Sequence, residues 1–139
     1  MVLKANRTVM DNLKPGVSWI EMHLLSERVI LEGLRDLGLI SGDLEEMQAA
    51  RIGYIFMPHG LGHLIGLEVH EVGGYLSTTS ARRTEPGLRN VRCGRVMEVG
   101  TCITIEPGIY FRDFLLKGEF GDNLSIDLKY LNMDKIKEY

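Results

Sequence analysis

The stretch FMPHGLGHLIGLEVHEVGGY, residues 56–75, decides how the rest of the chain is read. It holds three of the four histidines, His59, His63 and His70, punctuated by Gly60, Gly62 and Gly66. Histidine is the commonest metal ligand and the side chain best suited to proton transfer near neutral pH. The competing reading is a set of surface or satisfied core histidines. HGLGH lacks the glutamate of the HExxH zinc-protease motif. Its two glycines argue against a helix, so chelation from successive helical turns is not expected. In extended chain His59 and His63 share a face, because the strand period is two. His70 comes seven positions after His63, an odd spacing that puts the two on opposite faces of a regular strand. A bulge at Gly66 would re-aim one of them.

Downstream, Thr101-Cys102-Ile103-Thr104-Ile105-Glu106 is the clearest strand pattern in the chain, rich in residues that suit a pleated surface. A carboxylate closing an apolar strand is costly to bury unless it is paired or metal-bound. The alternative is that Glu106 is the solvated strand end before the Pro107-Gly108 turn. Tyr54–Met57 and the alternating Leu67–Val72 also read as strands, and Ile109–Phe111 as a resumption of the last one. Arg82, Arg83, Arg89, Arg92 and Arg95 make the intervening loop basic. Such a loop is either a solvated surface or the source of one arginine that clamps a substrate carboxylate, for which the planar fork is suited.

Upstream the pattern is helical. Val2, Val9, Met10 and Leu13 repeat at near-helical spacing before Lys14-Pro15-Gly16 breaks the run. Ser18 with Glu21 forms a capping-box pattern opening a second helix, with Ile20, Leu24, Leu31 and Leu34 on one stripe and Gly38 as the stop. His23 reads as a helix-surface residue. Asp43 with Glu46 caps a short third helix reaching about Arg51, and Asn132 caps a final helical turn.

The chain has 139 residues, about one domain, with ordinary hydrophobic (45%) and charged (25%) fractions. A net charge of −3 argues against a nucleic-acid or membrane-surface binder, which needs a basic field. No apolar run approaches the roughly 18 residues of a spanning helix, and no signal-peptide pattern opens the chain. Cys93 and Cys102 lack metal-site or disulfide-framework spacing, which makes a reducing, cytoplasmic compartment the expectation. Neither thiol has a local base, and Ser77–Ser80 lacks a nucleophile-elbow context.

FMPHGLGHLIGLEVHEVGGY, TEPGLRNVR and VMEVGTCITIEPGIY, in this order and spacing, resemble prolidases, the Xaa-Pro dipeptidases of the pita-bread metallopeptidase family. The resemblance covers most of residues 1–116, including the leading KANRTVMDNLKPGVSWIEMH. It implies an incomplete pita-bread α+β fold: helices in the N-terminal half, then an antiparallel strand-rich half. Residues 1–139 would form part of one catalytic domain, with no second domain. The resemblance implies two divalent metal ions, usually manganese, in a homodimeric enzyme. It places metal ligands at His63 and Glu106, a catalytic and substrate-contacting histidine at His70, a pocket histidine at His59, and the substrate-carboxylate arginine at Arg92. Two aspartates and a second glutamate of the family's ligand set have no match within the chain. The expectation is therefore a piece of a catalytic domain, holding two of five ligands and inactive alone, from a parent that cleaves Xaa-Pro dipeptides. Such chemistry suits these residue types: hard oxygen ligands with one imidazole suit manganese. The rivals are an aminopeptidase P, which shares fold and metals but takes longer substrates, and a non-catalytic pita-bread binding module. The GGY after VHEV and the PHGLGH form favour prolidase. Retention of His63, His70, Glu106 and Arg92 argues against the module.

Overall fold

The computed structural model describes residues 1–121 and 125–139. Among these residues six α-helices run in order: α1 Val2–Asn12, α2 Trp19–Asp36, α3 Leu44–Ala49, α4 Gly53–Phe56, α5 Asp113–Leu116 and α6 Met133–Ile136. Short 3-10 turns lie at Leu88–Asn90 and Leu128–Tyr130.

The local signals of the helical half hold. Asp43 caps α3 by accepting from the Glu45 and Glu46 amides, and Asn132 caps α6 by accepting from the Lys135 amide. Gly38 takes φ +70° just past α2, where its missing Cβ removes the left-handed penalty. Three details differ. The Ser18 hydroxyl makes no capping hydrogen bond, and the Trp19 amide donates to the Arg95 carbonyl (3.1 Å). On α1 the buried positions are Ala5 and Val9, while Val2 and Met10 are exposed. The third helix ends at Ala49, closed by a left-handed residue that is not glycine: Arg51, φ +61°. There the Arg51 amide donates to the Gln48 carbonyl and the Ile52 amide to Met47, a Schellman closure.

The strand-rich C-terminal half is the expectation that fails. Among the described residues there is no β-strand, only isolated antiparallel bridges at Ser18–Val96, Ile40–Leu131 and Leu64–Ile103. Tyr54–Phe56 is helical, within α4. Leu67–Val72 is an irregular loop whose Leu67, Val69 and Val72 are exposed. Thr101–Glu106 comes closest to a strand. The Ile65 amide donates to Cys102, Thr104 to the His63 carbonyl, and Glu106 to Leu61 (3.3, 2.9 and 2.7 Å). The ladder is interrupted at Thr104, where the His63 amide donates to the Thr104 hydroxyl (3.1 Å) rather than to its carbonyl. An α+β fold is thus replaced by helices and irregular chain stitched by single bridges.

Helix α2 joins two cores. Its later turns bring Ile30, Leu31 and Leu34 against Ile52, Ile55 and Phe56 and the tail residues Leu115 and Ile136. Its first turns bring Trp19 and Met22 against Leu61, Leu64, Val91 and Met97. A polar cluster lies between them. His23, Ser26 and Glu27 are completely buried, so the surface position expected for His23 is wrong. Helical spacing places His23 on a face of α2 but does not reveal that neighbouring segments cover it. Glu27 is paired with Arg51 at 2.8 Å, and Arg51 Nε also donates to the Pro86 carbonyl (3.0 Å). A left-handed residue with a Cβ costs the backbone about 1–2 kcal/mol, and the pairing fixes where the Arg51 side chain lies. A Cβ at Gly53 would sit 2.1 Å from the Glu27 side chain, so the glycine makes the room the carboxylate occupies.

Burial outweighs the Arg51 guanidinium and pushes the Glu27 carboxyl up to about 7. Burial, then Arg51 and His59, lowers His23 to about 3. Between its ordinary 4.5 and about 7, Glu27 binds more protons folded than unfolded, so its contribution falls as pH rises. Between about 3 and 6.5, His23 binds fewer protons folded, so its contribution rises with pH. The two slopes oppose each other between 4.5 and 6.5. Relative to the wild type, Glu27→Gln should make the urea midpoint climb with pH across that window, and His23→Gln should make it fall. Parallel profiles for all three proteins would contradict this assignment.

Candidate functional site

The glycines of HGLGH allow two segments to approach the histidine stretch. A Cβ at Gly60 would lie 2.7 Å from the Asn90 carbonyl oxygen and the Val91 Cα. A Cβ at Gly62 would lie 2.0 Å from the Thr104 carbonyl oxygen. The first approach brings in the arginine loop, and the second brings in the segment ending at Glu106.

The result is a cavity of about 760 Å³ lined by His59, His63, His70, Arg92 and Glu106, together with Pro58, Gly60, Gly62, Arg82, Arg89, Asn90, Pro107 and Tyr110. All five residues singled out in the sequence therefore meet in one place. His63 is buried and Glu106 half exposed, and His63 Nε2 lies 2.8 Å from Glu106 Oε1. The other ring nitrogen settles the tautomer. His63 Nδ1 lies 2.9 Å from the Leu64 carbonyl, which can only accept, so Nδ1 carries the proton. In neutral imidazole the Nε2 lone pair then faces the carboxylate. Two electron-pair donors converging on one point suit a shared proton or a cation. Among the described residues no group of three or more His, Cys, Asp and Glu side chains is arranged to hold a metal ion.

His70 reaches the site by a closed loop, not by a strand bulge. The Glu71 amide donates back to the Leu64 carbonyl (3.0 Å), and the Gly66 amide donates to Glu68 (3.2 Å). The Glu71 carboxylate accepts from the Val72 and Glu68 amides, which lowers its pKa. The loop returns the His70 ring to 4.3 Å from the His63 ring, edge to face. His59 Nδ1 donates to the Gly60 carbonyl (2.8 Å), leaving Nε2 to accept from the Tyr110 hydroxyl (3.1 Å). Asn90 ties the arginine loop to the histidine stretch by donating to the Pro58 carbonyl (2.7 Å).

Tyr110 and Asn90 also line the cavity, and the sequence reading did not single them out; Arg82, named there among the loop arginines, lines it too. Tyr110 had a signal, since it follows Glu106 within the EPGIY motif. Cys93 is buried and its thiol is pushed up by burial; Cys102 is exposed; both are free. No helix among the described residues is long and apolar enough to cross a membrane.

The model of metallopeptidase family M24 matches residues 1–128. The Xaa-Pro dipeptidase of Rattus norvegicus is 50% identical over 121 residues, which is 87% of this chain and 24% of that protein. A probable Xaa-Pro aminopeptidase of Botryotinia fuckeliana is 37% identical over 139 residues, all of this chain and 29% of that one. The chain thus spans about a quarter of the length of the curated relatives it matches. Among solved structures, the Pseudomonas aeruginosa aminopeptidase PepP superposes with a TM-score of 0.63 at 35% identity, covering 94% of this chain and 25% of that chain.

Because Gly62 meets backbone, which cannot swing aside, Gly62→Ala should destabilise the fold by about 1–3 kcal/mol or more. A urea titration checks this. An unchanged midpoint would mean that the Thr104 segment does not pack there as described.

Proposed function

The chain belongs to metallopeptidase family M24, and from that premise we propose that it is part of the catalytic domain of an enzyme cleaving Xaa-Pro dipeptides. The observation carrying this reading is the convergence of His63 Nε2 and Glu106 Oε1, 2.8 Å apart, in a cavity shared with His59, His70 and Arg92. An imidazole and a carboxylate with lone pairs aimed at one point fit a divalent cation, and mixed nitrogen and oxygen donors suit manganese. In this reading His63 and Glu106 are metal ligands, completed by carboxylates from elsewhere in the protein. Metal ions held there would supply a more acidic water and a Lewis acid for the scissile carbonyl.

The chain's own residues account for the rest. His70, edge-on to His63, would donate toward the oxyanion as the carbonyl carbon becomes tetrahedral. His59, its ring fixed by Gly60 and Tyr110, would form a wall against the substrate. A peptide bond to proline has no N–H, so recognition rests on ring shape and the free carboxylate. Arg92 would bind that carboxylate with its planar fork. The two free cysteines agree with a cytoplasmic setting, and a homodimer is the proposed assembly.

An aminopeptidase P activity is the second reading, favoured by the names of the fungal relative and the solved PepP structure. Cleavage rates on an Ala-Pro dipeptide and on a longer peptide beginning Ala-Pro, by the protein carrying this chain, separate the two. A clear preference for the dipeptide is expected; equal or faster cleavage of the longer peptide would establish the aminopeptidase. Chelation should abolish activity and added manganese restore it. His63→Ala or Glu106→Gln should weaken metal affinity by more than the roughly 10–100-fold typical of outer-shell changes. Full activity in a chelated sample would overturn the metal-dependent reading.

A further inference from the structure

The loop between Gly74 and Arg95 contains a clamp around one peptide group. Val91 is completely buried in the second core, and the residue after it, Arg92, is exposed at the cavity. The Val91 carbonyl accepts two hydrogen bonds, one from the Tyr75 hydroxyl (3.0 Å) and one from Arg82 Nη1 (2.7 Å). The same Arg82 nitrogen also donates to the Arg89 carbonyl (3.2 Å). Its guanidinium lies over the Tyr75 ring, 4.1 Å from the centroid, so the two donors hold each other as well as the carbonyl.

A peptide group is planar, so fixing the Val91 oxygen also fixes the Arg92 amide and the direction in which its Cα leaves the plane. The far side of Arg92 is fixed too. A Cβ at Gly74 would lie 2.1 Å from the Arg92 carbonyl oxygen, and the Gly94 amide donates to the Gly74 carbonyl (2.8 Å). Arg92 is therefore held at both its peptide groups while its side chain stays free to meet a ligand. A surface loop has no need of two side-chain donors on one carbonyl. A cationic side chain that must present a fork at a set angle does.

We propose that Tyr75 and Arg82 are positioning residues for Arg92, and that through it they set the preference for a substrate ending in a free carboxylate. This rests on the reading of Arg92 as the carboxylate-binding arginine. Neither residue is assigned to the bond-breaking chemistry.

The test is steady-state kinetics, with the protein carrying this chain, on an Ala-Pro dipeptide and its C-terminal amide. Arg92→Ala should raise KM for the free acid by about thirtyfold or more, with little change for the amide. Tyr75→Phe, which removes only the hydroxyl, and Arg82→Lys, which keeps the charge but loses the stacked fork, should each raise KM for the acid by about three- to tenfold. In both, kcat for the acid and both constants for the amide should stay near wild type. Tyr75→Phe combined with Arg92→Ala should be no worse than Arg92→Ala alone, since both act through one contact. Acid-selective loss in Arg92→Ala without it in Tyr75→Phe and Arg82→Lys would overturn the clamp and leave the role of Arg92 standing. Equal loss on acid and amide in the clamp variants would make their role purely structural, and also overturn the proposal. Absence of acid selectivity in Arg92→Ala itself would overturn the carboxylate reading and the clamp's purpose with it.

Discussion

The His63 imidazole meets the Glu106 carboxylate because two extended segments, residues 61–65 and 102–106, are stitched antiparallel by three backbone hydrogen bonds. At Thr104 the stitching departs from a regular ladder. Its hydroxyl accepts from the His63 amide and donates to the His63 carbonyl, so the residue carrying the imidazole is held by side chain and backbone together. Gly62 makes the approach sterically possible. From this junction the Leu64 carbonyl takes both His63 Nδ1–H and the Glu71 amide. One acceptor thus fixes the tautomer of one histidine and closes the loop that returns another. The site depends on a few such doubly used groups, not on a continuous sheet.

Behind the cavity, α2 gives that junction something rigid to rest on. Its apolar turns serve both cores, and its buried polar turn carries Glu27 to Arg51 and through Arg51 to Pro86, within the arginine loop. A buried ion pair is weak evidence of net stability, since desolvation consumes much of the Coulomb gain. Its use here is geometric. It joins α2, the left-handed end of α3 and the loop from which Arg89 and Arg92 reach the cavity. The clamp at Val91 holds the same loop from its other face.

Helices were legible where their signals are local. Asp43 and Asn132 cap the turns that follow them, and Gly38 ends α2, because a cap needs only the next few amides. Strands were not legible, because a strand is a relation between segments. Thr101–Glu106 has the composition of one, yet the Thr104 hydroxyl displaces a ladder bond. Tyr54–Met57 has it too, yet Tyr54–Phe56 lies in a helical turn within the core. His23 was misread for a related reason, since helical periodicity cannot tell which other segments will cover a face. The site residues His59, His63, His70, Arg92 and Glu106 came from the resemblance of three ordered motifs, and the cavity brings them together. Spacing alone could not have joined His63 to His70, because their meeting depends on the bond between Glu71 and Leu64.

The central proposal is that His63 is the imidazole poised to bind a cation, with His70 and His59 beside it in the cavity and His23 buried on α2. The direct measurement is paramagnetic broadening of the four histidine ring signals in the labelled chain as manganese(II) is added. The account predicts that His63 broadens at the lowest manganese concentration, His70 and His59 next, and His23 last. A His63 signal that stays sharp while another histidine broadens, or a His23 signal that broadens before His63, would contradict it.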